Sequence, residues 1–249
     1  MQPAVSRAFE EPAVSAEPST LWSSQSIEPE NQEVQIEHPT NAASEISGSR
    51  NYDLSKRALD LTLGALGLLG TGLISLALIP YILHKSPGPP IYRQLRVGKG
   101  GRPFFCYKFR TMQPDADERK SEFSHLNEAD GPVFKIKNDP RHIEGLRWLR
   151  KYSLDELPQF WNVVRGDLSL VGPRPPLPAE TDQYTPSQLS RLAVKPGLTC
   201  IWQVEGRSTL DFDTWVAMDL DYIQRRSTRL DLSLLIRTVP AVLTGRGAA

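Results

Sequence analysis

Cysteine is scarce: the 249 residues contain two, Cys106 and Cys200, far apart and without metal-ligand spacing. That argues against a disulfide-built scaffold and favours a reducing compartment. Net charge is absent as well, because 29 Lys and Arg balance 29 Asp and Glu. The balance is uneven along the chain: residues 1–50 hold eight acids, all Glu, against two arginines, which leaves the remaining 199 residues at about +6. The start of the chain lacks the basic and apolar stretches of a secretory signal, so no export by this end is expected. It also lacks any helical or alternating apolar period, and residues 1–50 therefore read as a disordered acidic tail unable to offset chain entropy by burial. No internal repeat is present.

Charge is missing altogether from Leu61 to Leu83, a run long enough to cross the roughly 30 Å hydrocarbon core as a helix. A buried core helix is the competing reading, but apolarity on every face is hard to bury in a domain this small. Acid is missing from Lys85 to Arg110, where seven Lys or Arg residues fall, and Arg50, Lys56 and Arg57 flank the other end. Both flanks thus look cytoplasmic. A segment with both ends on one side must re-enter, which calls for a break; Gly70-Thr71-Gly72 and Pro80 are the available breakers. Thr71 or Ser75 hydroxyls could satisfy backbone groups freed there. A simple span is the alternative.

What is present downstream suggests an α+β, mainly helical fold: a re-entrant membrane helix over 51–85, then a small catalytic domain over 86–249 with a short β-hairpin. The hairpin comes from IYRQLRV and FFCYKF on either side of GKGGRP. Its Arg93, Gln94, Arg96, Lys108 and Arg110 read as one basic cluster, facing either anionic lipid or a substrate phosphate. Residues 113–140 look like surface helix or loop. Leu146 to Arg165 is apolar at helical spacing, with Leu149, Leu157, Phe160, Trp161 and Val164 sharing much of a face. Pro173 to Pro178 forces an extended loop. A helix starting near Asp213 places Trp215, Met218 and Tyr222 on one side, and LDLSLLIRTVPAVL reads as an amphipathic segment ending near Pro240.

Chemistry concentrates in RKYSLDELPQFWNVVRGDLSLVGPRP, Arg150 to Pro175. Ser153-x-x-Glu156 is a capping-box pattern, in which the serine hydroxyl accepts from the Glu156 amide and the Glu156 carboxylate returns to the serine amide. On spacing alone the acids read as the start of a helix. The same adjacency also suits phosphoryl transfer, with one carboxylate attacking phosphorus and its neighbour holding a divalent cation. Hard oxygen ligands and phosphates imply Mg²⁺. Arg174, held between Pro173 and Pro175, suits a fixed guanidinium fork for phosphate, or is a surface loop arginine. Arg150 serves the same anion or ends a helix.

At these residues the chain resembles the bacterial sugar transferases, specifically monotopic polyprenyl-phosphate phosphoglycosyl transferases. KRALD, SPGPPIYRQLRVG, FFCYKFRTM, DPR, LRKYSLDELPQFWNVVRGDLSLVGPRP, KPGLTCIWQVEGR and DLDYI carry the resemblance in order, from Lys56 to about Gly247. The resemblance implies a nucleoside-diphosphate sugar donor, such as a UDP-hexose, and a polyprenyl (undecaprenyl) phosphate acceptor. It implies Asp155 as nucleophile, Glu156 as the Mg²⁺-binding partner, and Arg150 and Arg174 at donor phosphates. Arg96, Lys108, Arg110 and Asp219 fall in site-lining motifs. It further implies the cytoplasmic face of a bacterial inner membrane, contact with membrane lipid and no nucleic-acid partner, and it allows a homodimer. Two competing readings are a metal-dependent glycosyltransferase releasing UDP, using Asp219-x-Asp221 or Asp211-x-Asp213, and a non-catalytic membrane scaffold recruiting partners through its tail. The chain departs from many relatives in lacking Ser-Pro at the helix break.

Overall fold

A computed structural model describes residues 49–206 and 210–245. All but the last two residues of the expected acidic tail lie outside the described residues. Helix α1, Arg50–Lys85, is 36 residues long, about 54 Å at 1.5 Å per residue. It is the one helix among the described residues long and apolar enough to cross a membrane. Its assignment is unbroken through Gly70-Thr71-Gly72 and Pro80, so none of the expected breakers ends it. Pro80 removes one backbone bond, but Leu78 and Ile82 on either side are buried against Phe109, Ile143, Leu146 and Leu149, and this packing carries the helix past it. The hydroxyls expected to serve a bend have other partners, Thr71 the Gly67 carbonyl at 2.7 Å and the Leu157 carbonyl at 3.2 Å, and Ser75 the Thr71 carbonyl at 2.6 Å.

The rest of the described chain packs along one side of α1 from Tyr52 to Tyr81. The other side is open, with Leu66, Leu69, Leu73 and Leu76 between 60% and 76% exposed.

Strands β1, Ile91–Val97, and β2, Pro103–Phe109, form the expected antiparallel hairpin. Gly100 and Gly101 close it with φ of 65° and 79°, a region that glycine enters without steric cost. The register divides the expected basic cluster. Lys108 faces Tyr92, and Gln94 and Arg96 lie on that same side, whereas Arg93 is on the opposite side over the Phe105 ring. Arg110 turns back onto the Ser86 and Pro87 carbonyls.

Leu146 to Arg165 is not one helix. Helix α2, Arg147–Lys151, a 3-10 turn over Leu154–Glu156 and helix α3, Gln159–Arg165, follow in succession. The break lies at Ser153, where φ is 53° and the backbone leaves the right-handed region. As a result Trp161 is 47% exposed rather than sharing a buried face with Leu149.

A second small sheet, absent from the sequence reading, pairs β3, Ser169–Val171, in parallel with β4, Gly197–Thr199. Gly172, just after β3, and Gly197, the first residue of β4, touch so closely that a Cβ on Gly197 would lie 2.0 Å from the Gly172 nitrogen. After the extended loop come the short helices α4, Pro178–Thr181, α5, Pro186–Leu189, and α6, Ile201–Glu205. Helix α7, Phe212–Arg225, buries Trp215 and Tyr222 as expected. Helix α8, Thr228–Thr244, runs through Pro240 instead of ending there, and stops at left-handed Gly245. One core joins Phe104 and Cys106 of β2 to Val163, Leu170 and Val171, and to Tyr222, Ile223 and Leu234 of the last two helices.

Candidate active site

Asp155 and Glu156 occupy the 3-10 turn between α2 and α3. The expected capping box is not formed. Left-handed Ser153 makes no side-chain cap; its amide donates to the Arg150 carbonyl at 2.9 Å, and the Glu156 amide donates to the Ser153 carbonyl at 3.2 Å. The Glu156 carboxylate instead accepts from Lys108 Nζ at 2.7 Å. Asp155 is 6% exposed. Burial, and then the neighbouring Glu156 charge, push its carboxyl up to about 6, against the pull of Lys108 and Arg150. Burial works in the same direction on Glu156, but the Lys108 ammonium outweighs it and holds that carboxyl below its usual range. Two adjacent acids thus differ in character, one tied to a cation and the other buried.

Lys108 reaches Glu156 because α3 is stitched to β2. Asn162, fully buried, donates to the Phe105 carbonyl at 2.7 Å and accepts from the Tyr107 amide at 3.2 Å. A buried amide satisfied on both strand groups fixes the distance between hairpin and turn. The sequence reading missed Asn162; an isolated amide within an apolar helix face was the available signal.

The remaining candidates divide. Arg150, on α2, lies within electrostatic reach of both acids, and its Nη1 is 3.6 Å from Met112 Sδ. Arg174, half-buried in the extended loop, acts on Glu156 and lines a small cleft partly open to solvent. Tyr184, Arg191, Phe212 and Trp215 line the same cleft. Arg96 is buried at 5% exposure; it donates to the Pro175 carbonyl at 2.8 Å and to Gln94, and so braces the Arg174 loop from behind. Arg110 is also buried, its guanidinium held by the Ser86 and Pro87 carbonyls of the turn leading into the hairpin. Asp219 is fully buried and bonded to Arg191 at 2.6 and 2.9 Å, away from the Asp155–Glu156 turn in sequence and beside the cleft through Arg191.

Neither Asp-x-Asp pair forms a metal site. Asp219 and Asp221 are two residues apart on α7 and point to different sides; Asp219 pairs with Arg191, and Asp221 with Arg225. Asp211 caps α7, accepting from the Thr214 amide at 2.7 Å. No group of three His, Cys, Asp or Glu side chains able to hold a metal occurs among the described residues.

The paired-carboxylate turn thus has Lys108, Arg150 and Arg174 acting on it and stands on a domain built along an apolar helix. The sequence model of the bacterial sugar transferases matches residues 51–245, and the chain belongs to that family. It is 44% identical over 196 residues to "Galactosyl transferase CpsE" of Streptococcus agalactiae, covering 78% of this chain and 43% of the relative. It is 42% identical over 203 residues to "UDP-glucose:undecaprenyl-phosphate glucose-1-phosphate transferase" of Caulobacter vibrioides, covering 77% and 71%. It is 36% identical over 217 residues to "Exopolysaccharide production protein ExoY" of Rhizobium meliloti, covering 86% and 94%. The chain thus spans less than half of the Streptococcus relative and nearly all of ExoY.

Proposed function

We propose that this protein transfers a sugar 1-phosphate from a nucleoside-diphosphate sugar to polyprenyl phosphate through an aspartyl intermediate. A carboxylate oxygen of Asp155 attacks the donor phosphorus nearer the sugar. The bond from that phosphorus to the bridging oxygen breaks, and the nucleoside monophosphate leaves with the electron pair, UMP from a UDP-sugar. A phosphate oxygen of the acceptor then attacks the same phosphorus. The phosphorus–aspartate bond breaks, giving polyprenyl-diphosphate sugar and the free carboxylate. The observation that carries this reading is the asymmetry of the two acids, with Glu156 bound to Lys108 and Asp155 buried with its carboxyl raised to about 6. An Asp155 carboxylate in this setting is poorly solvated and ionised at neutral pH, as a nucleophile must be. Arg150 and Arg174 bring positive charge to the phosphates and orient them.

The residues fit Mg²⁺ in one form. A cage made by protein alone would need more carboxylates than the two at this turn, whereas Mg²⁺ carried on a diphosphate needs only one or two. Glu156 would hold it: Lys108 bonds to Oε1, and no bond to Oε2 is found among the described residues. When bound, the cation would screen phosphate charge from the attacking carboxylate.

We also place the chain at one face of a bacterial inner membrane, the cytoplasmic one, with α1 not crossing it. Both ends of α1 are fastened to the same domain, Lys56 to the Val171 carbonyl at 2.9 Å and Tyr81 to the Gly145 carbonyl at 3.1 Å. The name of the Caulobacter relative, with its nucleotide-sugar donor and undecaprenyl-phosphate acceptor, supports the same substrates here. The test is nucleotide release by purified protein with Mg²⁺, polyprenyl phosphate and a panel of UDP-sugars. UMP is expected, lost in Asp155→Asn; UDP release, or full activity of that variant, contradicts the proposal.

A further inference from the structure

The loop carrying Arg174 follows a short strand that is held from two sides. β3 has three residues and its partner β4 also has three. Beside its pairing with β4, where the Gly172 amide donates to the Thr199 carbonyl at 3.0 Å and the Gly197 amide to the Pro173 carbonyl at 2.8 Å, β3 is restrained by the first turns of α1. Asp60, 3% exposed, accepts from both the Ser169 hydroxyl and the Leu170 amide, each at 2.9 Å. Lys56 Nζ donates to the Val171 carbonyl at 2.9 Å and is itself held by Asp231 at 2.8 Å. These bonds end three residues before Arg174, and Arg96 holds the Pro175 carbonyl just after it. In sequence Lys56 is a flanking charge of the apolar segment; in the fold its charge is turned onto the domain. A lysine bound to a carboxylate and a carbonyl gains nothing from lipid headgroups at that position.

We propose that Asp60 and Lys56 of the membrane helix are positioning residues for Arg174, so that the same helix that seats the protein in the bilayer sets the donor-binding arginine. This rests on the reading of Arg174 as a donor-phosphate contact. Asp60 acts only as an acceptor through Oδ1, so an asparagine oxygen can replace it and an alanine cannot.

The test uses the full chain in vesicles, with UMP release and, separately, calorimetric binding of UDP. Asp60→Ala raises the donor KM and the UDP Kd about ten-fold or more, with the acceptor KM within about two-fold. Asp60→Asn stays within about three-fold of the parent, and Asp60→Ala adds nothing to Arg174→Ala, as expected of two residues acting as one unit. Normal donor KM in Asp60→Ala, equal loss in Asp60→Asn, or additive losses in the double variant would overturn it. Lys56→Met is read in place of Asp60→Ala if thermal unfolding shows that variant misfolded, with the same outcomes. A parent protein that releases no UMP refutes the proposed reaction alone, since UDP binding still reads the positioning.

Discussion

In the proposed mechanism Asp155 must be poorly solvated to be reactive and ionised to attack, and these demands oppose each other. Its folded carboxyl is raised from 3.8 to about 6, so the folded state favours the protonated form. That contribution to stability is fully present below about pH 4, the unfolded value, and is lost as pH rises through about 6. At pH 7.5 the ionised side chain is therefore a burden on the fold. Asp155→Asn is expected to abolish transfer yet raise stability at pH 7.5 by on the order of 1–3 kcal/mol, a gain that shrinks toward pH 4. Urea unfolding at the two pH values checks this, and a destabilised variant at pH 7.5 contradicts it. Transfer by the parent should rise through about pH 6. The acids and Arg174 were legible in the sequence as one string. The Lys108–Glu156 bond was not, because the pair is 48 residues apart and depends on Asn162 joining β2 to α3. The bonds from Arg110 to the Ser86 and Pro87 carbonyls were not legible either, since a motif position does not reveal a side chain's partners.

At the scale of elements, α1 meets α3 through glycines. A Cβ on Gly67 would lie 2.5 Å from the Phe160 ring, whereas one on Gly70 meets nothing within 4 Å. Gly67→Ala should lower stability by about 1–3 kcal/mol through overpacking, while Gly70→Ala should be neutral or stabilising by up to about 1 kcal/mol through helix propensity. Thermal unfolding of the two variants side by side decides this, and equal behaviour would show that α1 does not pack on α3 as described. The long helix and the hairpin were legible from uncharged length and from alternation with a glycine turn. Helix continuity through Pro80 was not, because packing on Leu78 and Ile82 lies outside any local rule; nothing in the structure explains the continuity of α8 through Pro240. The break at Ser153 was hidden for the opposite reason: apolar spacing continues across a residue whose φ is positive.

For the whole molecule, the proposed topology puts both ends of α1 on one side of the bilayer, because the domain fastened along it from Lys56 to Tyr81 is taken to stay outside the hydrocarbon. Single cysteines at exposed Ser49 and His84 should both label in inverted membrane vesicles and neither in right-side-out ones. Native Cys106 and Cys200 are buried and give little background. Labelling from opposite sides would contradict the proposed topology.

The central claim is that Asp155 carries the sugar phosphate. The most direct measurement mixes the purified chain with Mg²⁺ and a UDP-sugar that supports turnover, leaves out polyprenyl phosphate, and follows UMP together with the intact protein mass. The account predicts a burst of about one UMP per active protein, a sugar-phosphate adduct located on Asp155, and its discharge when acceptor is added. Turnover that requires both substrates together, with no burst and no adduct on Asp155, would contradict it.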